Sequence, residues 1–192
     1  EGKRTGIEID MNTGTGWPFG GPEVSIEEAA SKAIFQTYEI EGGQEIVQDI
    51  NVADKKQQPY SVLSRVMAYD GNGRCINLTS HVRKDKLEWK APAGKWKVIA
   101  LYNGKTRQKV KRAAPGGEGY VMNHLSKSAV KSYLSRFDRA FKSSKTSYPH
   151  TFFNDSYEVY QADWTEDFLD QFARRRGYKL EEHFPEFLDE SR

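Results

Sequence analysis

The sequence predicts an α/β fold in which a parallel sheet is interrupted by an antiparallel β module. Short apolar runs that end abruptly in polar residues lie near both ends of the 192-residue chain, as in Thr151-Phe152-Phe153 followed by Asn-Asp-Ser-Tyr-Glu. Between them the hydrophobic pattern changes to the period of strands. We therefore expect three segments: residues 1–33 with a strand, a Gly/Trp loop and a short helix; residues 34–112 as the inserted module; and residues 113–192 with two further strand–helix units.

In the first segment, Thr5–Asp10 is a predicted strand that runs into a loop at residues 11–22. The loop is rich in Gly and Pro around Trp17 and Phe19. Its glycines would let a ligand approach the backbone closely; alternatively, its aromatic rings pack onto the core. Ser25, with Glu28 three residues later, has the pattern of a capping box and predicts a short helix through Lys32.

The inserted module is predicted from segments rich in β-branched and aromatic residues at 33–40, 60–69, 74–82, 87–90 and 96–103. Asp70-Gly71-Asn72-Gly73 is a hairpin turn, because glycine and asparagine tolerate positive φ. Pro92-Ala93-Gly94 turns the chain again. We expect Trp89 and Trp96 to form the core of this module rather than an exposed platform for a sugar.

The third segment starts with a predicted strand at Tyr120–His124, and Ser126 caps the helix that follows. After the strand at 151–153, Asp163 is the predicted N-cap of a helix that ends at Gly177. Strands that alternate with helices pair in parallel through right-handed crossovers. Three such strands would be only part of a larger barrel or sheet, so we expect the chain to belong to a longer polypeptide.

Polar side chains at the carboxyl ends of neighbouring parallel strands would share one rim, where barrel enzymes place their chemistry. Amides and carboxylates bind sugar hydroxyls, and aromatic rings pack on the C–H faces of sugars, so this rim favours a carbohydrate ligand. Glu158 is the leading candidate for a catalytic acid, since glycoside hydrolysis needs a pair of carboxyl groups. The alternative is that Asp155, Glu158 and Asp163 only cap turns and helices. The predicted rim residues are Asp10, Asn12, Asn123, His124, Asn154, Asp155 and Glu158.

Other classes of function have weaker support. The net charge of +2 gives no strong field for nucleic acid, and the basic stretch 105–112 is more typical of a solvated strand or loop. No apolar run approaches the roughly 20 residues that span a bilayer. Ser156 lacks the Gly-x-Ser-x-Gly elbow of serine hydrolases. His124 is a lone histidine of a kind that more often packs than catalyses. Asp155 would suit calcium, although the sequence has no compact calcium loop.

Four stretches in combination resemble bacterial α-L-rhamnosidases of glycoside hydrolase family 106. They are Thr-Gly-Trp-Pro-Phe-Gly-Gly-Pro at 15–22, Leu-Glu-Trp-Lys-Ala-Pro-Ala-Gly-Lys-Trp at 87–96, Gly-Glu-Gly-Tyr-Val-Met-Asn-His-Leu-Ser at 117–126, and Asn-Asp-Ser-Tyr-Glu-Val-Tyr at 154–160. The resemblance implies a partial (β/α)8 TIM barrel, in a periplasmic or secreted polypeptide that hydrolyses terminal α-L-rhamnosyl linkages of rhamnose-containing glycans with inversion. Calcium is the cofactor that it implies, without identifying metal ligands.

The resemblance also assigns roles to residues. Glu158 would be the general acid, and Trp17, Asp155 and Tyr157 would line the sugar subsite together with the other rim residues. Asn123 stands where an aspartate is more usual. The partner base would lie on a later strand, so we expect this chain alone to be inactive. The alternative is a carbohydrate-binding or non-catalytic interaction module whose functional surface is the β insertion.

Overall fold

The computed structural model describes residues 1–154 and 157–191, and these form two compact units. One unit, here called the loop unit, comprises Glu1–Ser31 and Thr106–Ala162. The other, the sheet unit, comprises Lys32–Lys105 and Asp163–Arg192. The architecture is mixed α/β, with more strand than helix. The division predicted at residues 33 and 112 rested on a barrel architecture and stays a prediction.

The strands of the described residues are β1 (Asp10–Asn12), β2 (Gly20–Gly21), β3 (Ser31–Glu41), β4 (Glu45–Asp49), β5 (Val62–Asp70), β6 (Cys75–Asn77), β7 (Val82–Arg83), β8 (Lys86–Lys90), β9 (Lys95–Lys105), β10 (Tyr120–Val121) and β11 (Thr151–Phe153). The α-helices are α1 (Gly2–Thr5), α2 (Lys127–Ser144), α3 (Phe168–Arg176) and α4 (Phe184–Phe187). Short 3-10 helices cover Gln58–Tyr60, Thr79–His81 and Leu180–His183.

Two sheets form the sheet unit, one with the strand order β3-β9-β5-β6 and one with the order β4-β8-β7. The strands β5 and β9 pair antiparallel over most of their length. Because successive side chains of a strand point to opposite faces, Val66 and Ala68 of β5 pack into a cluster that also contains Leu87 and Trp89 of β8. This cluster is the first core of the unit, and it confirms the predicted antiparallel module.

The opposite face of β5 and β9 is covered by helices. Met67 and Ile99 pack there against Leu169 of α3 and Phe184 of α4. Phe184 is fully buried and contacts the ring of Phe35 on β3 edge to face, with the ring centroids 5.2 Å apart. The strand β9 is thus buried on both faces, which explains its uninterrupted apolar run from Val98 to Tyr102.

The loop unit has less regular structure. The strands β1 and β11 pair in parallel, as predicted. The strand predicted at Tyr120–His124 was wrong as a third parallel strand, because β10 covers only Tyr120–Val121 and pairs antiparallel with β2. The helix α2 begins where it was predicted, because the Ser126 hydroxyl accepts a hydrogen bond from the backbone N–H of Ala129 at 3.3 Å. The core of the unit gathers Val24, Ala29, Met122 and Tyr133 under this helix.

Three further local predictions were wrong. Residues 5–10 do not form a strand, because α1 occupies Gly2–Thr5 and β1 starts only at Asp10. The Ser25–Glu28 contact exists at 3.3 Å, but it closes a turn rather than a helix. Asp163 does not cap α3: its carboxylate accepts from the backbone N–H of Ala33 at 3.0 Å, and the helix begins at Phe168.

The predicted end of the helix α3 agrees better with the structure. Gly177 ends α3 in the left-handed conformation, with φ of 79°, as its sequence position predicts. Lys145 ends α2 in the same conformation. Over the described residues, none of the helices combines the length and the apolar character that crossing a membrane requires.

Candidate functional site

A cleft of about 620 Å³ opens in the loop unit at the carboxyl ends of β1 and β11. The parallel register sets Asn12 opposite Phe153, so Asn12 and the next residue on the other strand, Asn154, line the same cleft. The rings of Trp17 and Phe19 form part of the wall. The volume lies within the range of small-ligand sites, and the two amides supply donors and acceptors.

Backbone pairing positions Trp17. Its N–H donates to the carbonyl oxygen of Lys111 at 3.0 Å, and the N–H of Lys111 donates to the carbonyl oxygen of Trp17 at 2.8 Å. A side chain at Gly16 would collide with this pairing, since its Cβ would lie 2.5 Å from the Lys111 oxygen. The glycine next to the tryptophan is therefore required for the close approach of the two segments.

The helix α2 anchors the same loop from below. The buried Tyr133 hydroxyl donates to the carbonyl oxygen of Thr13 at 2.7 Å and lies 3.1 Å from that of Gly20. Arg136 stacks its guanidinium 4.4 Å from the Tyr133 ring and pairs with Glu23 at 3.6 Å. Burial raises the pKa of Tyr133, so the hydroxyl remains a donor at neutral pH and holds the loop in place.

Two cations complete the described lining of the cleft, Lys111 and Arg112. The Lys111 ammonium lies 5.4 Å from the centroid of the Trp17 ring and 4.8 Å from that of Tyr160. Both distances are within the range of cation–π attraction. The cleft therefore combines aromatic rings, neutral amides and positive charge.

Glu158 follows β11 on an exposed segment whose backbone is held by Gln108. The Gln108 side-chain amide donates to the carbonyl oxygen of Glu158 at 3.1 Å, and its oxygen accepts from the N–H of Tyr160 at 2.9 Å. The Tyr160 hydroxyl lies 3.4 Å from the Glu158 carboxylate. Asp155, predicted to line the subsite, is outside the described residues, as is Ser156.

Sequence reasoning missed Gln108. It lies inside a basic stretch that was interpreted as a solvated strand or loop, and its partners are 50 and 52 residues further along the chain. No local pattern predicts such a pairing. In the structure its own backbone is fixed by the N–H of Val121, which donates to the Gln108 carbonyl oxygen at 3.0 Å.

His124 and Tyr157 pack against each other, with ring centroids 5.0 Å apart. Burial lowers the pKa of His124, so its imidazole is neutral at pH 7. Its Nδ1 atom is buried and has no hydrogen-bond partner within the described part of the chain. Tyr157 itself is 62% exposed, which leaves most of its ring accessible to a ligand.

Asn123 and Asp10 lie in different surroundings. Asn123 is 3% exposed: its amide nitrogen donates to the Ser31 hydroxyl at 3.2 Å, and its oxygen accepts from the N–H of Leu125 at 3.1 Å. It thus fixes the turn that precedes α2. Asp10 is exposed at the start of β1, with its carboxylate 3.8 Å from Nδ1 of His150.

Metal ligands are not apparent at this site. Counting only residues whose placement the structure describes, no three His, Cys, Asp or Glu side chains come together to hold a metal ion.

The tryptophans of the sheet unit are core residues, as predicted. Trp89 and Trp96 are 8% and 2% exposed, and their rings meet edge to face at 5.2 Å. The indole N–H of Trp96 donates to the carbonyl oxygen of Pro92 at 2.9 Å. Neither ring is available to stack on a sugar.

Comparison with known protein families now defines the class of this protein. Residues 51–189 match the model of glycoside hydrolase family 106, described as alpha-L-rhamnosidase. The match covers well over half of the chain and includes the segment of Gln108 and Glu158. The chain belongs to glycoside hydrolase family 106.

Two relatives extend this finding. A protein of Formosa agariphila named "Putative beta-glucuronidase" is 27% identical over 96% of this chain, which corresponds to 20% of that protein. The structure of a rhamnosidase from Novosphingobium sp. PP1Y matches 96% of this chain with a TM-score of 0.70 at 15% identity. At that identity the match shows a shared fold. The chain spans a fifth of the length of the first relative and 35% of the second.

Proposed function

We propose that this chain is part of a glycoside hydrolase that cleaves terminal α-L-rhamnosyl linkages, with Glu158 as the general acid. The observation that carries the proposal is the cleft at the ends of β1 and β11, where two amides and the Trp17 ring meet in a chain of family 106. Amides that bind hydroxyls and a ring that packs on C–H groups are the groups that a sugar requires.

In this mechanism the sugar stacks on Trp17, while Asn12 and Asn154 exchange hydrogen bonds with its hydroxyls. The family resemblance adds Asp155 and Tyr157 to the subsite, although Tyr157 is not part of the described lining of the cleft and Asp155 is outside the described residues. Glu158 in its protonated form gives its proton to the glycosidic oxygen as the bond to the anomeric carbon breaks. Gln108 holds the carbonyl group of Glu158 and the N–H of Tyr160, and so limits the positions that the Glu158 carboxyl group reaches.

Inversion needs a second carboxylate about 6.5–9.5 Å from the acid, which removes a proton from the attacking water. We propose that this base, and the other strands of a (β/α)8 barrel, come from residues outside these 192. The exposure of Phe152 and Phe153 on β11, at 50% and 54%, supports this, because parallel strands are normally covered on both faces. The proposal includes export from the cytoplasm and a calcium ion, both implied only by the family resemblance.

The first test is hydrolysis of an aryl α-L-rhamnoside by a longer protein that contains this chain. Wild type is compared with Glu158→Gln, and with Glu88→Gln as a matched change at an exposed glutamate of β8. We expect Glu158→Gln to lose about 10²–10⁴-fold in kcat/KM with a poor leaving group, and much less with an activated one that needs no proton. Glu88→Gln should retain full activity.

Three outcomes would contradict parts of the proposal. Full activity of Glu158→Gln would mean that the protein is a glycoside hydrolase as proposed, but that Glu158 is not its general acid. Hydrolysis of an aryl β-D-glucuronide instead of the rhamnoside would replace the substrate, in line with the name of the Formosa agariphila relative. A longer protein that is inactive on every aryl glycoside but binds sugars would favour the non-catalytic carbohydrate-binding module.

The 192-residue chain is expected to have no measurable glycosidase activity, because its partner base is absent in this proposal. Turnover by the purified chain that disappears in Glu158→Gln would contradict this and would require a base within these residues.

A further inference from the structure

We propose that the cleft beside Trp17 binds an anionic sugar residue, one whose ring carries a carboxylate or a sulfate ester. The inference deepens the proposed function and rests on it only in taking the ligand to be a carbohydrate. Because the rhamnosyl ring that stacks on Trp17 is itself uncharged, the anion would be a sulfate ester on that ring, or the carboxylate or sulfate of the adjoining residue where it reaches Lys111 and Arg112.

The backbone pairing places the Lys111 ammonium next to the Trp17 ring. Trp17 and Lys111 are directly paired residues of an antiparallel bridge, so their side chains lie on the same face. The absence of a side chain at Gly16 permits this pairing. Val110 is buried beneath, while Lys111 and Arg112 are exposed into the cleft.

The two cations have no partner of opposite charge within the described part of the chain. None of the ion pairs formed by the described residues includes Lys111 or Arg112. The described lining of the cleft contains no aspartate or glutamate. The rings of Trp17 and Tyr160 hold the Lys111 ammonium in position without using it as a hydrogen-bond donor.

A ligand anion would satisfy both groups. Ammonium and guanidinium groups form short, charge-assisted hydrogen bonds to carboxylate and sulfate oxygens. The remaining described wall is neutral. It includes the amides of Asn12 and Asn154, and because the Asn12 oxygen already accepts the N–H of Gly14 at 2.7 Å, Asn12 would offer its NH₂ group to a hydroxyl. Positive charge beside an aromatic ring and neutral amides therefore matches a charged pyranose better than an uncharged one.

The test is a calorimetric titration of the 192-residue chain with three methyl glycosides that share one ring: methyl β-D-glucoside, methyl β-D-glucuronide and methyl β-D-glucoside 6-sulfate. We expect at least one charged probe to bind about tenfold more tightly than the neutral one, a difference that rising salt reduces. The charged probe that binds more tightly identifies the source of the anion. Inorganic sulfate is expected to bind more weakly than either charged glycoside.

Variants separate this site from general attraction by a basic protein. Lys111→Gln and Arg112→Gln are each expected to weaken the charged probes by about tenfold and to leave the neutral probe unchanged. Lys131→Gln, at an exposed lysine on α2, is the matched control and should change neither. Circular dichroism spectra identical to wild type verify that the variants are folded.

The titration overturns the proposal if the charged and neutral probes bind equally, or if no charged probe binds at millimolar concentration. Binding of inorganic sulfate as tight as that of the charged glycosides would also overturn it. So would an effect of Lys131→Gln equal to that of Lys111→Gln. Its failure is separable from failure of the proposed function. If a longer protein hydrolyses the rhamnoside through Glu158 but the cleft binds charged and neutral probes equally, the proposed activity stands and only the preference for an anionic sugar is wrong.

Discussion

In the sheet unit, β3 and β9 are each eleven residues long, and β9 is buried on both faces by a second sheet and by helices. In the loop unit, β1 and β11 are three residues long, and several aromatic side chains after the start of β11 are exposed, among them Phe152, Phe153, Tyr157 and Tyr160. The candidate chemistry lies entirely in the second of these regions. Loops held on a fixed frame carry function, whereas strands with two covered faces carry stability.

Two tryptophans make the difference concrete. Trp96 of β9 is 2% exposed and packs its ring edge on against Trp89. Trp17 is half-buried, forms one wall of the cleft and lies beside the ammonium of Lys111. Both follow a glycine-containing turn, so the sequence around them is similar in kind, but one fills a core and the other faces a ligand.

The largest expected effect is a difference in stability between variants that lack one or the other of these tryptophan rings. Trp96→Ala should lower the free energy of unfolding by about 3–5 kcal/mol, because it leaves a large cavity between the two sheets. Trp17→Ala should cost about 1 kcal/mol or less, since its ring is only partly removed from water. Urea denaturation of both variants measures the difference. Equal losses of stability would mean that the loop around Trp17 is as much a core as the sheet unit.

The same pair of variants tests where sugar binds. Trp17→Ala is expected to lose binding of sugars while it remains folded. A folded Trp96→Ala protein that lost sugar binding would instead support a functional surface on the β module.

The sequence predicted the sheet unit well because its signals are local. Alternating apolar residues and turn residues such as Asp70–Gly73 marked β3, β5, β8 and β9 close to their observed positions, whereas the segment predicted as one strand at 74–82 divides into β6, a 3-10 helix and the start of β7. The strand β4 was not predicted: Glu-Ile-Val-Gln-Asp has mostly exposed side chains, and it is a strand because its backbone pairs with β8. Pairing of this kind depends on a partner some 40 residues away.

Predictions failed in both units where the contacts are distant. In the sheet unit, the Asp163-x-x-Glu166 pattern is typical of a helix cap, yet the Asp163 carboxylate binds a backbone N–H 130 residues earlier in the chain. The cleft itself could be anticipated in part, since Asn12 and Asn154 came from the expectation that polar residues follow parallel strands, and Trp17 from its glycine-rich loop and the family resemblance. Lys111, Arg112 and Gln108 could not, because only the bridge to Trp17 and the clamp on Glu158 give them a role.

A smaller effect is expected from a methyl group at the base of the cleft. Gly16→Ala would bring its Cβ to 2.5 Å from the Lys111 carbonyl oxygen and 2.7 Å from Val110, so the two segments must separate. We expect a loss of about 1–3 kcal/mol in the free energy of unfolding, together with weaker sugar binding. Gly71→Ala is the control, because no atom lies within 4 Å of its Cβ position. If both substitutions were tolerated equally, the close pairing of Trp17 with Lys111 would not be a requirement of the site.

The smallest expected effect concerns Gln108, which joins the basic segment to the backbone around Glu158. Gln108→Ala removes two hydrogen bonds, each with a net contribution of about 0.5–1.5 kcal/mol. It should therefore accelerate hydrogen exchange of the Tyr160 amide. The control is Gln44→Ala, a change at an exposed glutamine of the sheet unit, which should leave that exchange unchanged. Gln108→Glu keeps an acceptor for the Tyr160 N–H but loses the donor to the Glu158 carbonyl oxygen. Hydrogen exchange of the Tyr160 amide should therefore stay slow in this variant, while the Glu158 carbonyl group loses its partner. Unchanged exchange at Tyr160 in Gln108→Ala would show that the segment of Glu158 is ordered without this clamp. In that case the residues after β11 would themselves position the Glu158 carboxyl group. The loop unit would then not depend on a single side chain at this point, and it would differ less from the sheet unit.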